Sequence, residues 1–242
     1  MKLQRLYSLV RQAMEAYDMI EEGDRVAIGV SGGKDSLTLL YALAGLRRFY
    51  PRTFELMAIT VNLGYEEMNF GPVADLCRQL EVPYYMVDTK IQEMLPTENP
   101  CSLCARLRRG ALNDKALELG CNKIAYAHHM DDVVGTFLLS LIYEGRISTF
   151  WPVTCLGDSG LTVIRPLIFV RENEVKGFRN KYDLPVVKNS CPYDKHTERE
   201  YVNELIRSID RHAPGVRERM MTAIRQGNLE GWEKKTKSEG KS

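Results

Sequence analysis

The strongest constraint on this chain is an alternation. Five short apolar runs, at 25–30, 54–63, 84–87, 123–127 and 162–164, are separated by stretches of helical period at 37–46, 72–80, 102–119, 131–143 and 172–182. Strands alternating with helices predict a parallel sheet with helices on both faces, an α/β, Rossmann-like architecture. Ligands of such sheets sit beyond the carboxyl ends of the strands. Residues 3–20 read as an amphipathic helix, with Leu3, Leu6, Leu9, Val10, Ala13, Met14 and Tyr17 at helical spacing, suited to a homodimer contact. Residues 199–226 read as helical apart from Pro214-Gly215, and the Lys/Ser/Gly/Glu-rich tail 234–242 as disordered. The expected organisation is an N-terminal helix at 1–23, a nucleotide-binding core at 24–198, C-terminal helices at 199–233, then the tail.

Composition narrows the functional classes. Lys and Arg total 33 and Asp and Glu 32, a net charge of +1, which argues against a basic nucleic-acid tail or an acidic disordered chain but leaves local basic patches open. No apolar run is long enough for a membrane span and no signal peptide is read at the start, so the chain is expected in the cytosol. Six cysteines in 242 residues are too few for a disulfide scaffold. In a cytosolic chain, clustered cysteines point to metal or redox chemistry.

Ser31-Gly-Gly-Lys-Asp-Ser36 falls between a predicted strand and a predicted helix. Two glycines let main-chain N–H groups approach an anion, and the following helix adds its positive end. Lys34 supplies a cation, and Ser31 and Ser36 supply hydroxyls. Asp35 opposes a purely anion-binding role and is better suited to Mg²⁺ or to capping. The spacing is neither a Walker A loop nor the dinucleotide fingerprint. A lone Gly-Gly pair would be an ordinary turn; this hexapeptide after a strand favours phosphate.

Cys101 and Cys104 lie three apart at a predicted helix start, where the helix dipole and Arg106, Arg108 and Arg109 are expected to favour thiolates. A dithiol, half of a structural zinc site, or two incidental cysteines all fit that spacing. Cys77 and Cys121 read as core residues, Cys155 is ambiguous, and Cys191 sits before Pro192 in a loop suited to metal ligation. His128-His-Met-Asp-Asp132 closes a strand and opens a helix. Asp131 and Asp132 there could cap it or hold Mg²⁺ beside phosphates.

The hexapeptide resembles the signature of the PP-loop ATP pyrophosphatases, whose fold is adenine nucleotide alpha hydrolase-like. Together with Cys101-Ser-Leu-Cys-Ala-Arg-Leu-Arg-Arg-Gly110, His128–Asp132, Gly145-Arg146, Ile164-Arg-Pro-Leu167 and Cys191-Pro192, the order is similar to that of the tRNA 2-thiocytidine synthetase family over roughly residues 20–210. The resemblance implies a 4Fe–4S cluster on Cys101, Cys104 and Cys191, and sulfuration of an anticodon-loop cytidine with ATP, Mg²⁺, tRNA and a sulfide donor (a cysteine desulfurase or free sulfide). Catalytic roles are expected for Lys34, Asp35, Asp132 and Arg108. Nucleotide binding is expected of Ser31, Gly32, Gly33, Lys34, Asp35, Ser36, His129 and Asp131. Gly135 stands where the family usually has Glu, implying a lost pocket carboxylate. Arg106, Arg108 and Arg109, and more weakly Arg211, Arg217, Arg219 and Arg225, are candidate tRNA phosphate contacts. The rival readings are a PP-loop enzyme with another substrate and a decayed nucleotide-binding or cluster-carrier module.

Overall fold

The computed structural model describes residues 1–65, 68–96, 100–188, 191 and 198–233. Six strands form one sheet in the order β3-β2-β1-β4-β6-β5. They are β1 (Asp24–Gly29), β2 (Phe54–Asn62), β3 (Tyr84–Asp88), β4 (Lys123–Ala125), β5 (Val153–Cys155) and β6 (Thr162–Ile164). All pairings are parallel except β5 with β6. β1 pairs with β2 on one side and β4 on the other, so the strand order reverses between β1 and β4. A crevice opens at such a switch point, beyond the carboxyl ends.

Both faces of the central strands β1, β2 and β4 are buried, as parallel strands require. Alternate residues serve opposite cores: Val26, Ile28, Leu56 and Ala58 face one, and Ala27, Met57, Ile59 and Val61 the other. The first core is covered by α1 (Leu3–Ala16), α2 (Lys34–Leu46), α5 (Met130–Leu139) and α6 (Glu172–Lys181), joined by α3 (Gly71–Gln79), α7 (Glu198–His212) and α8 (Val216–Gln226). The second is covered by α4 (Pro100–Glu118) through Leu112 and Ala116.

Three sequence expectations change. The first helix stops at Ala16, because Asp18 takes a left-handed φ of 45° and Met19 N–H bonds back to Met14 O. Its apolar face, Leu6, Val10, Ala13 and Met14, is buried in the chain's own core, which leaves the expected homodimer contact without that surface. The helix expected to reach Tyr143 is α-helical only to Leu139. A single π turn, Ser140–Glu144, follows and ends at Gly145 with φ 64°. The third is β5, which periodicity did not suggest. It is three residues long, and its one strand partner is β6, in antiparallel pairing. The tail 234–242 lies outside the described residues.

Candidate functional site: a phosphate loop, a histidine-capped helix and three thiols

The glycine loop follows β1 and opens α2 as the spacing predicts. Gly32 has φ +78°, where a side chain is strained, and a Cβ there would lie 2.8 Å from the Val187 side chain. Val187 N–H also bonds to Gly32 O at 3.0 Å, so the 184–188 segment braces the loop from behind. Ser36 Oγ accepts from Ser31 N–H at 3.1 Å, donates to Gly33 O at 3.0 Å, and lies 3.1 Å from Ser31 Oγ. The N-cap residue, Gly33, provides no side-chain cap. The first amides of α2 therefore have no intrahelical partner and point into the crevice.

Lys34 is held between two carboxylates, with Nζ 3.0 Å from Asp35 Oδ2 and 3.4 Å from Glu172 Oε1. Burial works against its charged form, but Asp35 and Glu172 outweigh burial and raise the ammonium above its usual value. Asp35 Oδ1 is buried with no hydrogen-bond partner among the described residues, 3.7 Å from His129 Nε2. An orphaned carboxylate oxygen in a crevice beside phosphate donors suits a divalent cation.

In the His-His-Asp-Asp segment the helix cap comes from the histidine. His129 Nδ1 accepts from Asp132 N–H at 3.4 Å, while Asp132 Oδ2 accepts from His129 N–H at 3.0 Å, a reciprocal box at the start of α5. With Nδ1 as acceptor, the ring proton of neutral His129 sits on Nε2, facing Asp35. Asp131 turns elsewhere. Its Oδ2 accepts from Glu172 N–H at 2.7 Å and its Oδ1 pairs with Arg217 Nε at 2.9 Å. Asp131 therefore ties α5 to α6 and α8, and both its oxygens are engaged. Gly135, expected to mark a lost carboxylate toward the nucleotide, is buried instead. A Cβ there would meet Asn203 of α7 at 3.6 Å.

The main cleft measures about 580 Å³ and lies over the β1/β4 switch point, between the glycine loop, α4 and α5. Its floor is apolar at Ile59, Val61 and Leu112, and its walls carry Arg108, Arg109, Arg165 and Arg199. Arg108 has no hydrogen-bond or ion-pair partner among the described residues, and burial lowers its guanidinium from the usual value. A desolvated, unpaired guanidinium calls for an anion. The second arginine group behaves differently. Arg217 is buried between Asp131 and Asp210, Arg219 donates to Ala213 O and Pro214 O, and Arg225 stacks on Phe169. Three of those four candidate phosphate contacts serve the C-terminal helices themselves.

The thiols sort by place in the fold. Cys77 and Cys121 are buried; burial pushes Cys77 up to about 11 and raises Cys121. Cys155 pairs in register with Thr162 at the amino-terminal end of β6, the end of the sheet opposite the cleft. Cys101 and Cys104 occupy the first turn of α4, and Cys104 feels the charge of both Cys101 and Cys191. Cys191 accepts from Tyr65 O–H at 4.0 Å. The depressed thiol expected at Cys104 does not occur: burial raises it, with only Arg108 opposing. Among the described residues, no group of three or more His, Cys, Asp or Glu side chains closes on a single metal ion. Asn189, Ser190 and Pro192 lie outside the described residues.

Sequence reasoning missed Glu172 and Val187, and took Arg217 for a tRNA phosphate contact, not for the partner of Asp131. The Arg171-Glu-Asn-Glu174 start of α6 carries a capping-box pattern, so Glu172 had a local signal as a first-turn residue. Val187 and Arg217 act only through tertiary contacts and had none.

A profile of the PP-loop domain matches residues 4–209. The tRNA-cytidine(32) 2-sulfurtransferase of Pelobacter propionicus is 40% identical over 228 residues, 91% of this chain and 84% of that protein. The one from Geobacter sulfurreducens is 35% identical over 236 residues, 95% and 91% respectively. Among solved structures, the U34-tRNA thiolase NcsA from Methanococcus maripaludis, determined with its 4Fe–4S cluster, superposes with a TM-score of 0.75 at 27% identity. That match covers 91% of this chain and 76% of NcsA. NMN synthetase from Francisella tularensis shares the fold alone, at 12% identity and TM-score 0.53. The chain belongs to the PP-loop domain family and, within it, to the tRNA-cytidine(32) 2-sulfurtransferases.

Proposed function

We propose that this protein is an ATP-dependent tRNA sulfurtransferase that converts an anticodon-loop cytidine to 2-thiocytidine. One observation carries the reading: the glycine loop and the unpaired Arg108 line one cleft, and the same Arg108 acts on Cys104 one turn before it on α4. ATP would lie with its phosphates on the loop and the open amides of α2. Lys34 would exchange a carboxylate for phosphate, since it is part-exposed and its partners are shared. The cytidine O2 attacks the α-phosphorus, the bond to the β-phosphate oxygen breaks, and pyrophosphate leaves. Hydrosulfide then adds at C2, the C2–O bond breaks, and AMP departs.

The chain's own groups supply the charge stabilisation. Lys34 and the loop amides face the negative charge that builds on the phosphoryl oxygens, and Arg108 faces the departing anion from the α4 side. Asp35 and Asp132 would hold Mg²⁺, with the orphaned Asp35 oxygen as the fitting donor; the ion would neutralise phosphate charge. Cys101, Cys104 and Cys191 would hold a 4Fe–4S cluster: none of the three is fully buried, and two of them stand at the start of α4. A cluster held by three thiolates leaves one iron open to an exogenous sulfide. The base must leave the anticodon-loop stack to reach the cleft. Acting on tRNA fits the cytosolic expectation, with a cysteine desulfurase or free sulfide as donor. No helix among the described residues is long and apolar enough to cross a membrane.

The test is anaerobic turnover of the reconstituted protein with ATP, sulfide and tRNA. AMP, pyrophosphate and 2-thiocytidine are expected in equal amounts. Pyrophosphate release that ignores tRNA, or turnover without 2-thiocytidine, would overturn the reading.

A further inference from the structure

The part of the cleft farthest from the thiols, beyond the ends of β4 and β6, has a chemistry that phosphate binding does not use. His128 and Arg165 both line it. Both pack on the ring of Phe150, the imidazole at 4.9 Å between centroids and the guanidinium carbon at 5.0 Å. Tyr126 closes the side, 5.9 Å from the His128 ring. This floor is fixed from both directions. Thr149 Oγ1 donates to Val133 O at 3.0 Å, and the buried Trp232 indole donates to Phe150 O at 3.2 Å.

The polar atoms are incompletely used. Arg165 Nη1 donates to Trp151 O at 2.5 Å and Thr154 Oγ1 at 3.0 Å, which locks the guanidinium plane. Its Nε is buried without a partner, and no described residue takes Nη2, which leaves Nη2 toward the cleft. His128 Nδ1 is also buried without a partner. A buried orphan acceptor is more tolerable than a buried orphan N–H, so the proton belongs on Nε2. That atom is absent from the buried set and has no partner among the described residues, so it too is open to the cleft. Burial keeps this imidazole neutral, with its pKa pushed down to about 4. The result is two fixed N–H donors that pack on the same Phe150 ring and line the same cleft.

We propose that His128 and Arg165 form the acceptor-base subsite and select cytidine over uridine by donating to its N3–O2 edge. This rests on the tRNA-sulfurtransferase reading and names how that site chooses its base. In cytosine, N3 and O2 are adjacent acceptors, matching two donors. In uracil, N3 carries a hydrogen, so one donor meets another. Arg165 has no acceptor to offer in any protonation state. His128 could accept only by moving its proton to the buried Nδ1, where nothing receives it. A site built on hydrogen bonds rejects the mismatched base strongly, because its buried polar groups are then left unpaired.

The experiment compares two anticodon-loop tRNA transcripts, one with cytidine and one with uridine at the modified position, on the reconstituted protein. Thiolated nucleosides are quantified by mass spectrometry, and ATP affinity is measured separately without tRNA. Arg165→Met, which keeps its stem over Phe150, should lower the cytidine-to-uridine ratio of kcat/KM at least about tenfold. His128→Leu should do the same, and so should His128→Gln, whose amide can turn its oxygen to accept from uracil N3–H. ATP affinity should stay within about twofold in all three. An unchanged ratio in both Arg165→Met and His128→Leu overturns the proposal, as does a tenfold loss of ATP affinity, which would place the pair against the nucleotide. If Arg165→Met does not fold, Arg165→Gln gives the same reading, since its amide can still donate to Trp151 O while its oxygen can accept from uracil N3–H. Wild-type protein that forms no 2-thiocytidine overturns the underlying reading, a result distinct from thiolation whose base preference the variants leave intact.

Discussion

Two lysines stand between carboxylates at opposite ends of this sheet, and the contrast separates scaffold from site. Lys123 opens β4 at the amino-terminal end. It is 8% exposed at the side chain and lies 2.7 Å from Asp24, itself 3% exposed. Asp24 also accepts from Asn122 Nδ2 at 2.7 Å and Glu21 N–H at 2.6 Å, so every charge there is matched in place. Lys34, beyond the carboxyl end of β1, has side-chain partners that are about as exposed as itself, near 30%. Asp35 keeps one oxygen without a hydrogen bond. A sealed pair has nothing to exchange. A half-open pair with an orphan oxygen can release its lysine to a phosphate and its carboxylate to a cation.

The largest break in this contrast is at the sealed end. Lys123→Ala leaves Asp24 buried and uncompensated, and should cost about 3–5 kcal/mol in denaturant unfolding. Nucleotide affinity of the folded fraction should not change. A loss below about 1 kcal/mol would mean the pair is not the scaffold described.

Acid is the next probe, and it acts at the cleft end. His128 is held neutral mainly by burial; Arg165, Arg199 and His129 lower its pKa further, and Asp132 opposes them. Its folded value of about 4 lies below the ordinary 6.5, so the unfolded chain takes the proton first. Stability from this group is therefore full above about pH 6.5 and is lost as pH falls toward 4, by about 2 kcal/mol at pH 5. Unfolding curves at pH 7.5 and pH 5 check this. His128→Gln should flatten the difference, and an equal difference in that variant would assign it to other groups.

Gly32→Ala tests the brace behind the loop. The positive φ alone costs about 1–2 kcal/mol, and the new Cβ would press on Val187. Lower stability should come with weaker ATP binding, whereas unaltered binding would show that the loop does not depend on Val187. Lys34→Ala should reverse the Lys123 pattern. Pyrophosphate release should fall tenfold or more, about 1.4 kcal/mol, with stability nearly unchanged, as expected of a part-exposed ion pair. Intact release would remove Lys34 from phosphate binding.

The smallest effect concerns Gly135. An alanine Cβ finds ordinary contact with Asn203, so Gly135→Ala should stabilise α5 by up to about 1 kcal/mol through helix propensity. A thermal melt reads it. A loss would mean that the α5–α7 seam needs the glycine.

These regions also differ in how they could be read from the chain. The glycine loop and the start of α5 are local. Their residues are neighbours in sequence, so strand, turn and helix signals located them and their carboxylates. The Asp24–Lys123 pair is invisible to any local pattern, because 99 positions separate its partners and only the β1–β4 register joins them. The same holds for Arg217. Residues at helical spacing do not reveal that a cation of α8 reaches Asp131 of α5. Asp131 and Asp132 are adjacent and chemically alike, yet one bonds across to α6 while the other lines the cleft. Helical geometry points neighbours in different directions, and only the packing decides which one meets the ligand. β5 was missed for the same reason, as its three residues are placed by tertiary contacts, with β6 as their strand partner.

The most direct measurement is nucleoside mass spectrometry of tRNA from cells with the gene, without it, and complemented with the Lys34→Ala chain. The half-open lysine site and its neighbouring thiols predict a 2-thiocytidine peak that disappears on deletion, returns with the wild-type gene and does not return with Lys34→Ala. A 2-thiocytidine level that survives deletion unchanged would contradict the assignment of this cleft to tRNA thiolation.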